Sequence, residues 1–232
     1  MFDTDVLRAR ARFYEFFSYA FFYDEKGKGY QNWQEQAKFF SQNELGCDFE
    51  PILKADFTSF KAEQNAVLFD LSYANVPLNA SFYDEGRDNG KKRVETIAVL
   101  KNSNLRRNIE KCSESEDFIG FLFLMMREFL EGQIKGQENQ NAKYTFEYLI
   151  NPCIDELCEL LGSHEDSCIF KALSQIISWF VNLERAYYAL NAPQKAQISV
   201  AKEAMNMCPH PSKMPTANQS QTRMNLLVCR EF

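Results

Sequence analysis

Phe118-Ile119-Gly120-Phe121-Leu122-Phe123-Leu124-Met125-Met126 is the longest apolar run in the chain, and only Gly120 interrupts it. The run is far too short to cross a bilayer, which takes about 20 apolar residues. A stretch that leaves no polar face belongs to a helix enclosed on every side by other helices. That helix is expected over Glu114 to Glu131. Ser113 and Glu116 form an S-x-x-E capping box at its start, and Gly132 and Gly136 end it. An enclosed helix needs amphipathic partners around it, and the sequence on both sides supplies them.

Upstream, Val6, Phe13, Phe17, Ala20 and Phe21 recur at helical spacing between about Asp5 and Tyr23, with Asp3 or Thr4 as cap. Gly27 and Gly29 break the chain. A shorter helix follows over Tyr30 to Ser41, with Trp33, Ala37 and Phe40 on one face. Phe57, Phe60, Gln64, Val67, Leu68 and Leu71 mark another amphipathic helix with one polar member, Gln64, ending near Asp70. Ser72 to Gly90 reads as a loop broken by Pro77, Asn79, Gly86 and Gly90. A helix over Lys91 to Lys101 is expected to turn Val94, Ile97 and Ala98 inward.

Downstream, two helices are expected around Asn141 to Ile150 and Pro152 to Leu161, the second opened by Pro152 and stopped by Gly162. A long helix over Ser167 to Leu190 carries the stripe Ile169, Leu173, Ile176, Ile177 and Phe180, and Asn191 and Pro193 terminate it. A weaker helix covers Gln194 to Asn206. From Cys208 onward Pro209, Pro211, Pro215 and the polar run Ala217 to Arg223 resist regular structure. Met224 to Cys229 is apolar enough to dock or to form a short extended segment. No repeat and no convincing strand alternation is present. The expectation is an all-α, single-domain bundle of roughly eight to ten helices, with residues 1–207 as the helical domain and 208–232 as an irregular, proline-containing tail.

The 232 residues are 45% hydrophobic, with 21 phenylalanines, so the core is expected to pack through aromatic ridges. Lys plus Arg number 26 against 32 Asp plus Glu, a net charge of −6. That balance disfavours nucleic acid, whose phosphates demand a basic face, and suits a basic peptide better. Seven cysteines, Cys47, Cys112, Cys153, Cys158, Cys168, Cys208 and Cys229, include no C-x-x-C pair. Several lie in apolar helical patterns, where a thiol acts as a small hydrophobe. Cys153, Cys158 and Cys168 are expected to be buried and unpaired. Met1 to Arg12 is charged and lacks the apolar run of a secretory signal. The expected compartment is the reducing cytoplasm, without membrane insertion.

Catalytic chemistry finds little footing. Histidine, the usual general base, occurs only at His164 and His210. His164 follows a helix stop and reads as a loop residue. Cys208-Pro209-His210 lacks a second pair of metal ligands at suitable spacing. No G-x-x-x-x-G-K-[ST] or G-x-G-x-x-G loop occurs, and Gly27-Lys28-Gly29 is too short to cradle phosphate. Asp155 and Glu159 share a helix face without the E-x-x-H of a di-iron bundle, and read as an exposed acidic face. Arg106-Arg107 is internal and followed by polar Asn108, unlike an export signal. No catalytic residue, metal site or bound cofactor is expected.

Three stretches carry a family resemblance. Val67-Leu68-Phe69 closes a helix, Pro77-Leu78-Asn79-Ala80-Ser81-Phe82-Tyr83 follows in a loop, and Glu116-Asp117-Phe118 opens the apolar helix. With Tyr148-Leu149-Ile150-Asn151-Pro152 and the helix order, the likeness spans roughly residues 5 to 190. It resembles the TorD/DmsD/NarJ family of redox-enzyme maturation chaperones. Phe118 stands where that family usually has histidine, and Leu78 replaces a second proline. The resemblance implies a TorD-like, all-helical cytoplasmic chaperone, monomeric or homodimeric. Its partners would be the twin-arginine signal peptide and the apo form of a molybdopterin oxidoreductase, held until cofactor insertion. By position, Leu68, Phe69, Pro77, Ser81, Tyr83, Glu116 and Asp117 would border the peptide site.

Chemically, carboxylates such as Asp117 and Glu116, with Asp70 or Asp84, suit bidentate bonds from arginine, and Phe69 suits an apolar groove. Glu116 and Asp117 also fit a helix start by dipole alone, worth about 0.3–1 kcal/mol, and Phe69 also fits a core. Two other classes stay open on the residues: a helical regulatory adaptor for another protein, and a small metal- or thiol-dependent hydrolase.

Overall fold

A computed structural model describes residues 3–43, 45–69, 75–110, 112–137, 139–194, 199–207 and 227–229. Helix α1 (Thr4–Phe21) and helix α7 (Ile119–Ile134) form the central pair. Asp3 caps α1 by accepting the Asp5 amide at 2.9 Å. Every residue of α7 from Ile119 to Met126 is buried, as expected of a helix with no polar face. Its start allows a close crossing: a Cβ on Gly120 would lie 2.7 Å from the Phe118 ring and 3.1 Å from the Phe21 Cβ.

Helix α2 (Tyr30–Ser41) has the expected bounds and buries Trp33, Ala37 and Phe40. The Trp33 ring stacks on Phe16 and its Nε1 donates to the Phe16 carbonyl at 3.0 Å, so an indole is buried without an orphaned donor. Phe13 stacks on Phe40 with centroids 4.1 Å apart, and Trp33 packs on Phe60 at 4.9 Å. The expected aromatic ridges are therefore the core itself.

Helix α3 (Glu50–Lys54) precedes α4 (Phe57–Gln64), which continues as a π turn over Asn65–Phe69. Gln64, the polar member of the apolar stripe, is buried. Its Nε2 donates to the carbonyls of Ala20 (2.7 Å) and Phe22 (3.0 Å), which lie past the point where α1 can satisfy them. Helix α5 (Ala80–Glu85) lies within the stretch expected to be loop. Helix α6 (Lys91–Lys101) has the expected bounds but the opposite face inward: Thr96, Val99 and Leu100 are buried while Val94 is 66% exposed.

Downstream, α8 (Asn141–Tyr144), a π turn (Thr145–Ile150) and α9 (Asn151–Ser163) run as one continuous rod rather than two helices. Pro152 falls in the first turn of α9, directly after the π turn. Helix α10 (Ile169–Tyr188) buries Ile169, Leu173, Ile176, Ile177 and Phe180, the full expected stripe. It ends at Ala189, whose φ of 53° is left-handed, rather than at Asn191 or Pro193. Arg10 of α1 clamps it: Nε donates to Glu184 Oε1 at 2.5 Å and Nη2 to Oε2 at 2.9 Å, while the Tyr14 hydroxyl donates to Oε2 at 2.8 Å.

Helix α11 (Val200–Met207) is the last among the described residues. Strand β1 (Leu105–Arg107) pairs antiparallel with β2 (Leu227–Cys229), Arg106 opposite Val228, which bears out a short extended segment near the end of the chain. Of the rest of the expected tail, residues 208–226 and 230–232 lie outside the described residues. The architecture is all-α and single-domain, with one short two-stranded ribbon. Among the described residues no helix is long and apolar enough to cross a membrane.

Candidate functional site

Two of the sequence stretches that carry the resemblance are brought together in space. The Ala80 amide donates to the Asp117 carbonyl at 2.9 Å, and the Ile119 amide donates to the Leu78 carbonyl at 2.8 Å. Asn79 and Phe118 thereby form an isolated antiparallel bridge. Residues 77–83 and 116–118, separated by more than thirty positions, form one unit at the head of α7.

Within this unit Asp117 has internal partners. Its side chain is wholly buried. Oδ2 accepts the Ser81 amide at 3.0 Å and Oδ1 accepts the Ser115 hydroxyl at 2.6 Å. Asp117 therefore caps α5, not α7: it satisfies a free N–H in the first turn of a short helix whose own N-cap residue, Asn79, supplies no side-chain bond. An arginine arriving from outside finds no open edge on it.

Glu116 is 9% exposed and also occupied. Arg93 Nε donates to Oε2 at 2.7 Å, and Arg107 Nε lies 3.0 Å from Oε1. Burial on its own would raise this carboxyl. The Arg93 hydrogen bond and the charges of Arg107 and Arg93 overcome it and hold the group below the usual glutamate range. The Ser113–Glu116 capping box does not form, because α7 begins at Ile119 with Phe118 as its N-cap. The arginine pair outbids it: a charge-assisted bond is worth more than a cap to a neutral amide.

Ser81 is fully buried, and its hydroxyl accepts the Arg93 amide at 3.2 Å. Tyr83 is buried with its hydroxyl donating to the Pro77 carbonyl at 2.7 Å, which fixes the loop before α5; burial pushes that phenol well above its ordinary value. Leu68 is core, 3% exposed. Phe69 is half-buried, edge-on to Tyr23 with centroids 5.8 Å apart, and Phe22 packs on Phe118 at 5.1 Å. The end of α1 thus touches both the Phe69 turn and the head of α7. Pro77 is half-buried and Asp84 is exposed on α5, whereas Asp70 lies outside the described residues.

Of the residues selected from sequence, Pro77, Ser81, Tyr83, Glu116 and Asp117 form one bonded assembly; Phe69 packs on Tyr23, whose neighbour Phe22 packs on Phe118, and Leu68 lies buried beside Phe69 in the π turn. Sequence reasoning missed Arg93, Arg107 and Ser115, which complete it. Nothing local marks them, since Arg93 meets Glu116 across twenty-three residues.

Three of the thiols are not poised for chemistry. Burial pushes Cys153 and Cys158 up to about 12 and Cys112 up to about 11, so each stays protonated. Cys153 and Cys158 are buried and free as expected, but Cys168 is exposed, because it precedes α10 instead of lying within it. Among the described residues no three His, Cys, Asp or Glu side chains converge as a metal site. A cleft of about 800 Å³ lies elsewhere, between Thr4 and Leu7 of α1, Gln133 of α7, Lys143 and Tyr187.

Fold and site together define a class: an all-α protein with a buried polar fastening between α5 and the head of α7. Within that class, residues 50–159 match the family model described as nitrate reductase delta subunit, a family of redox-enzyme maturation chaperones. The matched stretch falls just short of half the chain and runs from α3 nearly to the end of α9. It contains all seven residues selected above. No curated protein and no solved structure shows a significant match.

Proposed function

We propose that this chain is a cytoplasmic maturation chaperone. It binds the twin-arginine signal peptide, the apo form, or both, of a molybdopterin oxidoreductase and holds the enzyme until its cofactor is inserted. The observation that carries this is the match over residues 50–159 to a chaperone family for such enzymes, a range that includes the assembly at the head of α7. The protonated thiols speak against thiol-dependent hydrolysis at Cys112, Cys153 or Cys158.

The peptide is received on the surface above that assembly. Leu68, Ser81, Tyr83, Glu116 and Asp117 hold the surface in shape from below, while half-buried Phe69 and Pro77 face the peptide's apolar run. Exposed Asp84 is the carboxylate on α5 open to a client arginine. Glu116 and Asp117, occupied by Arg93, Arg107, Ser81 and Ser115, act as positioning residues.

Affinity isolation of the full chain from its native cells, followed by mass spectrometry, tests the proposal. The expected result is a molybdopterin oxidoreductase catalytic subunit that still carries its N-terminal signal. Recovery of a cytoplasmic protein with no export signal instead would favour the adaptor class and overturn the proposal.

A further inference from the structure

Helix α1 carries an apolar strip between α2 and α10. Phe13 is its floor, stacked on Phe40 of α2 with centroids 4.1 Å apart and packed on Trp179 of α10 at 5.7 Å. Val6 and Ala9 precede Phe13 along α1 at helical spacing, and both are exposed. Beside Phe40 stands Phe39, 49% exposed, and one turn beyond Trp179 stands Leu183, 50% exposed. Exposed apolar residues set singly need no explanation, but a strip shared by three helices marks a contact surface.

Two polar groups of the strip point to what it contacts. Trp179 is half-buried, and among the described residues its indole N–H has no hydrogen-bond partner, unlike that of Trp33. The Arg12 guanidinium lies over the Phe39 ring at 5.5 Å and has no carboxylate partner among the described residues. Nearby carboxylates are engaged elsewhere: Asp5 pairs with Arg8, Glu15 accepts from Gln36 Nε2 at 3.3 Å, and Glu184 is clamped by Arg10. Tryptophan and arginine at the rim of an apolar floor are the residue types that carry interface energy.

We infer that this strip receives an amphipathic helix of a partner protein, apolar on one face and bearing a carboxylate along its edge. The apolar face covers Val6, Phe13 and Leu183, and the carboxylate takes the Arg12 guanidinium. Such a helix is opposite in charge to a twin-arginine peptide. The strip is therefore a second surface, toward the N-terminal part of α1, whereas Phe22 at the other end of that helix meets Phe118. It does not depend on the chaperone reading.

Two synthetic amphipathic helical peptides test it, with the same leucine face and flanked either by glutamate or by lysine. Each is titrated into the full chain by fluorescence anisotropy. The net charge of −6 favours the lysine peptide at every other surface, so a preference for glutamate reports the strip. Wild type is expected to bind the glutamate peptide at least tenfold more tightly. Arg12→Glu is expected to reverse that preference, and Leu183→Gln to weaken the glutamate peptide at least fivefold, with thermal melts confirming the bundle. Should Arg12→Glu melt early, Arg12→Gln reads the same contact and is expected to abolish the preference. Binding of a twin-arginine peptide is expected to be the same in wild type and Leu183→Gln. No binding of either peptide, a wild-type preference for lysine, or an affinity indifferent to Leu183→Gln would overturn the inference. So would sedimentation showing a dimer that Leu183→Gln dissociates, since a second copy would then hold the strip.

Discussion

Asp117 and Glu116 are neighbours with the same charge and different internal partners, and each yields a test. Asp117 joins the Ser81 amide and the Ser115 hydroxyl in a site without water access. Asp117→Asn keeps the shape but weakens two charge-assisted bonds and brings in an amide that needs acceptors of its own. Stability is expected to fall by about 1–3 kcal/mol in urea melts, while peptide affinity measured under native conditions moves little. A variant as stable as wild type with peptide affinity down tenfold would restore Asp117 as a direct anchor. For Glu116, the folded group sits below the usual glutamate value. Its stabilisation is therefore fully present above about pH 4.3, and is lost as pH falls through the lower, folded value. Urea midpoints of Glu116→Gln are expected to lie below wild type at pH 7 and to converge with it toward pH 3. A constant gap across that range would refute the ion pair.

Among elements, α9 and α10 separate their thiols cleanly. Cys153 and Cys158 face the core, whereas Cys168 is exposed just ahead of α10. Under native alkylation with mass spectrometric readout, Cys168 is expected to react first, with Cys153 and Cys158 protected until the chain unfolds. The same elements show what periodicity reveals. Where an apolar stripe is wide, as in α10, or bulky, as in α2, bounds and face are both legible. In α6 the apolar positions Val94, Ile97, Val99 and Leu100 admit two faces, and packing against the rest of the bundle, which no local pattern encodes, chooses the second. Helix α5 reads as loop because its cap is supplied by Asp117 from thirty-six residues away. The start of α7 is misplaced for the same reason: the charges that would open it locally are used elsewhere. The short motifs of the resemblance fall in stretches that the fold brings together, but which of their residues face outward depends on partners invisible in sequence.

At the scale of the molecule, the bundle is tied end to end by the buried Arg10–Glu184 pair, with Tyr14 and Tyr188 completing the network. Removing one partner leaves a charge buried without its complement, so Arg10→Ala is expected to cost about 3–5 kcal/mol, read from urea or thermal unfolding. A loss under 1 kcal/mol would mean that Glu184 regains water or a proton at little cost. The network meets α7 at Phe123, where Tyr14 packs, beyond the 116–118 head, and client binding by the folded variant is expected to be unchanged.

The claim that joins these scales is that an acidic helical protein receives an arginine-bearing export signal on the surface above the head of α7. It is tested most directly by titration calorimetry of the full chain with the twin-arginine signal peptide of the molybdopterin oxidoreductase recovered with it. The same peptide with both arginines replaced by glutamine serves as the comparison. Saturable one-to-one binding is predicted, at least tenfold weaker for the glutamine peptide and weakening for the arginine peptide as salt rises. Equal affinity for the two peptides, or no binding of either, would contradict it.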